Sequence, residues 1–351
     1  MRRLFALMTA LMLLGGCAVL PGEERAFAVC LGLDRSGGTW TASARLPTYT
    51  TPGKYITVSA RGKSLAEAMT LLDAAAPIRV HYGQVRMVIL TRELAAGDGF
   101  GEVMSALARL REFRAEAYLC VTEEKLADMM DALTPQSGTR LSKYLEVMAA
   151  SRIGLGVAPD TRVGDVWRMG QRQSPLLADI ALAPQQTGDA IGMEASAGAL
   201  AATGMEIQLA GAWLLSLDGR VTGRLTAEET QLLRLLQGSL RKGALMLGGG
   251  SLTIVDASSR VSMQNNTVRC DVTLRYKDAQ GLTPDGIREA IIQAGMQVKD
   301  KLAAACCDAL GMGRRAMLQA STWQAWQQLD WPGRYPQLPW VITIALQGEA
   351  T

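Results

Sequence analysis

Val85 to Leu90 is a near-continuous apolar run broken only by Arg86, and it lies between two stretches with helical spacing. A strand of that composition has to be covered on both faces, as in a sheet with helices packed on each side. The neighbouring pieces agree. Ser64-Leu65-Ala66-Glu67 has the capping-box pattern, and Leu65, Ala68, Met69 and Leu72 then fall on one helical face ahead of Pro77. Glu102 to Leu110 reads as a helix, Ala115 to Val121 as a strand and Glu123 to Leu133 as a helix. Upstream, Ala26 to Leu33 and Trp40 to Leu46 flank Ser36-Gly37-Gly38 as a hairpin, and Tyr55 to Ser59 alternates as a further strand. Strands alternating with helices imply a mixed α/β arrangement with some parallel pairing.

The signal weakens from Pro135 to about Ala202, although Leu141 to Ala150 reads as a helix. Pro184 to Gly204 is rich in Ala, Gly, Thr and Gln without a period, and reads as a connection or as holding one short strand. Pattern returns at Ile207. Ile207 to Leu217 is strand-like, Asp218-Gly219 is a turn signal, and Thr226-Ala227-Glu228-Glu229 is a second capping box opening a helix through Leu236. Leu252 to Met263 and Val268 to Tyr276 form a hairpin about Asn265-Asn266. Thr283 N-caps a long helix with Pro284 at its first position; Ile287, Ile291, Ala294, Val298, Leu302, Cys306 and Ala309 form one apolar stripe that stops near Gly311. Thr322 to Leu329 is a short helical piece, and Trp340 to Leu346 is a last strand. The expected fold class is α+β or mixed α/β, multi-domain, with packed helices on mixed sheets and a long amphipathic helix near the C-terminus. The 351 residues allow about two domains, or three compact ones. The expected division is 1–16, a signal peptide; 17–185, a mixed α/β domain with a further split open near 135; 186–205, a connection; and 206–351, an α+β domain.

The N-terminus addresses the chain. Arg2 and Arg3 precede an apolar stretch from Leu4 to Leu14, about half the length that spans a bilayer. It ends in Leu14-Gly15-Gly16-Cys17, the pattern of a bacterial lipobox, with small residues at the scissile bond and a thiol to carry diacylglycerol. An ordinary signal peptide, or a short anchor helix with an incidental cysteine, is the plainer alternative. With the lipobox, the mature chain starts at Cys17 and loses Arg2 and Arg3. That leaves 34 basic against 33 acidic side chains, a formal +1, and two acyl chains suffice for stable anchoring.

The chemistry-bearing residues are few. A formal charge of +3 over the whole sequence lacks the basic excess of a dedicated nucleic-acid binder. One histidine, His81, rules out a multi-histidine metal site within one chain, and it is expected in a structural or surface role. Cys30, Cys120, Cys270, Cys306 and Cys307 show no C-x-x-C spacing, so they are expected as structural thiols; no metal and no cofactor is expected. Glu23-Glu24, Glu123-Glu124 and Glu228-Glu229 are adjacent pairs, which on a helix diverge by about 100° and suit first-turn capping better than acid/base work. Gly248-Gly249-Gly250 lacks the Lys-Ser/Thr of a phosphate loop. The basic pairs Arg241-Lys242 and Arg314-Arg315 are expected as solvated surface. Four of seven tryptophans, Trp323, Trp326, Trp331 and Trp340, lie in the last 30 residues. Trp323 and Trp326 share a helical face. They offer either a partner interface or packing of the terminal helix on the last strand.

The order of these pieces resembles the Ger(x)C family, the C-subunit lipoproteins of spore germinant receptors. Ala28-Val29-Cys30-Leu31-Gly32-Leu33-Asp34 resembles the family's early strand ending in Gly-x-Asp. Gly62 to Ala68 resembles its Gly-x-Ser/Thr helix opening, and Tyr82 to Leu90 with Glu93-Leu94-Ala95 resembles its apolar strand and following helix. Gly211 to Leu236, the long helix, Trp323, Trp326 and the last strand resemble its C-terminal region. Ala18-Val19 stand where members carry Trp-Asp, and Gln84 stands where histidine is frequent. The resemblance implies a non-enzymatic subunit, lipid-anchored through Cys17 at the outer face of the spore's inner membrane. It implies membrane-embedded A and B subunits as partners in triggering germination. The rival reading is a solute-binding lipoprotein of a transporter. Its cleft needs convergent aromatics and charges, and Phe, Tyr and Trp total only 18. A wall- or cortex-modifying enzyme would need a converging carboxylate pair.

Overall fold

The computed structural model describes residues 25–48, 54–135, 139–169, 173–184, 205–247 and 250–348. The lipobox with Cys17, Glu23-Glu24, the 186–204 stretch and Gly248-Gly249 lie outside the described residues. In chain order the elements are β1 (Ala26–Phe27), β2 (Cys30–Ser36), β3 (Thr39–Pro47), β4 (Tyr55–Gly62), α1 (Leu65–Ala75), β5 (Val80–His81), β6 (Met87–Thr91), α2 (Arg92–Ala96), α3 (Gly99–Arg109) and β7 (Tyr118–Thr122). Next come α4 (Leu126–Ala132), α5 (Leu141–Gly154), α6 (Val163–Met169), β8 (Leu176–Pro184), β9 (Met205–Leu215), β10 (Val221–Leu225), α7 (Ala227–Leu236) and β11 (Gly243–Leu247). The chain closes with β12 (Gly250–Gln264), β13 (Thr267–Gln280), α8 (Pro284–Ala304), α9 (Met312–Gln319), α10 (Trp323–Gln328), α11 (Trp331–Arg334) and β14 (Trp340–Gly348).

The larger sheet has eight strands in the order β10-β9-β8-β7-β6-β2-β3-β4. Its middle strands β2, β6, β7 and β8 are parallel, and antiparallel strands complete both sides. β6 is central and all five of its residues are buried. Val88 and Leu90 enter one core with Leu65, Leu72, Phe100 and Leu107. Met87 and Ile89 enter the opposite core with Met129, Met130, Leu141 and Leu145. Each such side chain contributes about 1.5–3 kcal/mol by leaving water, so the unbroken apolar run is what a strand sandwiched by helices requires. β8 and β9, on either side of 186–204, pair with each other. The sheet thus draws strands from both the 17–185 and the 206–351 segments. A four-stranded sheet, β11-β12-β13-β14, packs its own core against α7 and α8. Asn265 and Asn266 adopt positive φ (47° and 63°) at the β12–β13 hairpin, the geometry the sequence pair suggests.

Local differences have local causes. Ala26 to Leu33 is not one strand: β1 leaves to pair with β5, and β2 begins at Cys30. At α1, Ser64 accepts from the Glu67 N–H, but Glu67 Oε2 accepts from the Lys63 N–H one residue before the cap, so the box is only half closed. The Thr226–Glu229 box on α7 is complete. α8 ends at Ala304, short of the expected stripe. Cys306 adopts φ 47° and its N–H bonds the Ala303 carbonyl, while the Cys307 N–H bonds Leu302. This is the paired-bond ending that glycine usually supplies, and a side chain there is strained by about 1–2 kcal/mol. Cys306→Gly is expected to raise stability by about 0.5–1 kcal/mol after the greater freedom of glycine in the unfolded chain is set against that relief. Thermal unfolding of the two proteins checks this.

Candidate functional site

The parallel strands β2, β6 and β7 open at their carboxyl ends into a crevice of about 1080 Å³. Each strand delivers a polar residue as its apolar run stops: Asp34 from β2, Thr91 from β6, Thr122 from β7. Open sheets of this kind gather ligand groups at this edge. Thr91 donates its hydroxyl to Asp34 Oδ1 at 2.5 Å. Ser43 and Ser59 share a 2.8 Å bond along the wall formed by β3 and β4. Arg61, Arg92, Glu93, Glu123, Glu124 and Lys125 complete a rim with both signs of charge.

Behind the rim lies a charge ladder. Glu123 Oε1 accepts from Arg92 and Oε2 from Arg224, both at 3.1 Å. Arg224 on β10 also meets Asp179 on β8, with its Nε 2.7 Å and a terminal nitrogen 2.5 Å from Oδ2. Trp213 on β9 donates its indole N–H to Asp179 Oδ1 at 3.0 Å, while the Arg92 and Arg224 guanidinium groups lie against its ring at 5.6 and 5.1 Å. Asp179 is buried. Burial raises its carboxyl above the ordinary carboxylate range, and Arg224 and Trp213 pull it back.

A bulge aims this carboxylate. Between Ala178↔Ala212 and Ile180↔Leu209, Ala210 and Gly211 stand opposite the single Asp179. Gly211 has φ 100°, and a Cβ there would come within 2.7 Å of the Leu225 carbonyl, so this approach of β9 to β10 needs glycine. A second bulge at Thr222 turns its hydroxyl onto the Ala305 carbonyl at 3.0 Å, hooking β10 to the end of α8. The ladder therefore runs from the crevice rim to the helix that supports the second sheet. Chemically, it fixes carboxylates and guanidinium groups in place at the mouth of a polar crevice.

The residues singled out in the sequence are scattered. Glu123 is not in a first helical turn: α4 starts only at Leu126, and Glu123 is held instead by its two arginines. Glu229 does cap α7, and it also takes Lys301 at 2.7 Å. His81 lies at the other end of the sheet, where its Nδ1 accepts from the Gly83 N–H and its ring meets Phe27 edge-on. Cys30, Cys120, Cys270 and Cys307 are buried and free, and burial raises all four thiols, Cys270 to about 12. Trp323 and Trp326 do not present a shared surface: Trp323 is 57% exposed, whereas Trp326 packs into the core beside Trp331. Asp179, Trp213 and Arg224 were not marked by any motif. Their only trace is a lone acid inside the apolar run Leu176 to Leu182. Among the described residues no group of three His, Cys, Asp or Glu is placed to hold a metal ion, and no helix is long and apolar enough to cross a membrane.

Residues 21–181 match the family model described as the spore germination protein N-terminal domain. The solved crystal structure of the GerBC protein is similar to this chain at a TM-score of 0.53, over 91% of this chain and 97% of that one, with 15% sequence identity. At that identity the likeness carries the fold. No curated protein matches the sequence. Residues 21–181 thus resemble the spore germination protein N-terminal domain, as the order of the sequence motifs implies, and the fold is shared with the GerBC protein along nearly the whole chain.

Proposed function

We propose that the protein is the C subunit of a spore nutrient germinant receptor, lipid-anchored through Cys17 and acting with membrane-embedded A and B subunits to trigger germination. The match of residues 21–181 to the spore germination domain carries this reading, and the lipobox pattern at Leu14 to Cys17 supports the anchor. The subunit works by binding rather than catalysis. The crevice carboxylates support that: Asp34 is bonded to Thr91, and Glu123 and Asp179 are engaged by arginines. Its place is the outer face of the spore's inner membrane.

The test is to tag the C-terminus, solubilise spore membranes in mild detergent and identify the proteins that co-purify, with Cys17→Ala alongside. Recovery of A- and B-type membrane subunits, reduced in the Cys17→Ala strain, is the expected result. Recovery of transporter components instead would overturn the proposal in favour of a solute-binding lipoprotein.

A further inference from the structure

The crevice and the point where the described chain begins lie at opposite ends of the same parallel strands. At the amino ends of β2, β6 and β7 the Val29 carbonyl accepts from the Arg86 N–H at 2.8 Å, and the Arg86 carbonyl accepts from the Tyr118 N–H at 2.9 Å. The chain enters here, with Ala26 bonded to the Arg79 carbonyl. From Cys17 to Arg25 is eight residues, a tether of at most about 28 Å when fully extended. An acyl group on Cys17 would therefore hold Arg25, where the described chain enters, within that distance of the bilayer surface.

The surface at this end has the matching chemistry. Arg86, Arg114, Lys143 and Arg162 surround a concavity of about 370 Å³ that also holds Glu116 and Glu146, four cations to two carboxylates. Arg86 meets Glu146 at 3.2 Å, and Arg162 meets Asp160 at 2.8 Å while lying on the Tyr118 ring. Arg114 is exposed and engages no carboxylate among the described residues. Glu112 is a further acid beside it. Val147 on α5 is 54% exposed at the same concavity, an apolar contact among basic groups. The crevice at the far end carries Asp34, Glu93, Glu123 and Glu124 against Arg61, Arg92 and Lys125. The two linings thus differ in sign, four cations to two carboxylates at the end where the tether starts and three to four where the crevice opens, with Asp160 and Glu112 reducing the excess at the tether end.

We infer that the face formed by Arg86, Arg114, Lys143 and Arg162 around Val147 seats on anionic phospholipid headgroups, so that the crevice points away from the membrane. The inference takes its geometry from the Cys17 anchor in the proposed function. An acyl anchor and a basic face act together at a bilayer, and the electrostatic part declines as salt shortens the Debye length.

The test uses the mature chain with Cys17→Ser, which cannot be lipidated, and vesicles of phosphatidylcholine with or without phosphatidylglycerol. Binding is expected only to the phosphatidylglycerol vesicles, with loss at high salt. The pair Arg114→Glu with Lys143→Glu, both exposed and remote from the core, is expected to weaken it roughly tenfold or more. Arg61→Glu with Lys125→Glu, at the crevice rim, is expected to leave it unchanged. Equal binding to both vesicle types, or equal loss from both variant pairs, would overturn the inference. Undiminished vesicle binding by the Arg114–Lys143 pair, together with lost recovery of membrane subunits from spores, would overturn it and assign the face to a protein partner. The anchor is judged separately, by whether wild-type protein fractionates with membranes and Cys17→Ala does not.

Discussion

Asp308→Ala is expected to lower the stability of the protein by about 3–5 kcal/mol, because it orphans three buried donors at once. Asp308 is fully buried. Its Oδ1 accepts from the Met312 N–H at 2.9 Å, and its Oδ2 accepts from the Gly313 N–H at 2.5 Å and the Trp331 indole at 3.1 Å. The first two are the unpaired N–H groups that open α9, whose own N-cap, Gly311, brings no side chain to them. Asp308 is in effect a displaced cap that also pins α11. Asp308→Asn keeps one acceptor oxygen but turns an NH₂ toward N–H donors, so a loss of about 1–3 kcal/mol is expected. Burial pushes the carboxyl up from 3.8 to about 6, against the pull of the same donors. In the window between those values the folded protein holds a proton that the unfolded chain releases, so this group's contribution falls as pH rises toward 6. The stability gap between wild type and Asp308→Asn should therefore narrow as pH rises through that window. Urea unfolding followed by tryptophan fluorescence measures both effects.

Arg224→Ala is expected to cost about 2–4 kcal/mol at neutral and higher pH. Removing one partner of a buried pair leaves the other uncompensated, and the usual loss is discounted here because Arg224 is itself half exposed. Asp179 would remain buried with only the Trp213 indole as partner. Its carboxyl is already raised by burial, and loss of Arg224 raises it further. The penalty is present while Asp179 is ionised and fades once it is protonated in both proteins. The stability difference should therefore be larger at about pH 8 than at about pH 5. A penalty independent of pH would mean that Arg224 matters through packing on Trp213 rather than through its charge.

The contrast between these residues and the rest shows where sequence reading works. β6 was legible because each of Met87, Val88, Ile89 and Leu90 has to leave water whichever face it points to. α8 was legible because Ile287, Ile291, Val298 and Leu302 repeat at helical spacing. The Asn265-Asn266 hairpin carries its own turn chemistry. The charge ladder has no such period. Arg92, Glu123, Asp179 and Arg224 come from α2, the β7–α4 loop, β8 and β10, and only the pairing of β6 with β7 and of β9 with both β8 and β10 brings them together. The same holds for Trp323 and Trp326. Three-residue spacing allows a shared face, but in a helix of six residues the packing of Trp331 and Tyr335 decides which ring goes inward. Asp308 follows two cysteines in a segment whose helix ended earlier than its apolar stripe, so nothing local marks it as a cap.

The continuity of the larger sheet separates two meanings of the word domain. The segment recognisable by descent stops at residue 181, inside β8. The segment that closes a core does not: Trp213, Leu215 and Val221 complete one face of that sheet, and Ile207 and Leu209 complete the other. Produced alone, residues 21–181 would show β8 as a bare edge with two unfinished cores beside it, a template for pairing with other chains. The heritable module and the cooperative unit overlap here without coinciding, and any dissection of this protein into working pieces has to cut beyond β10.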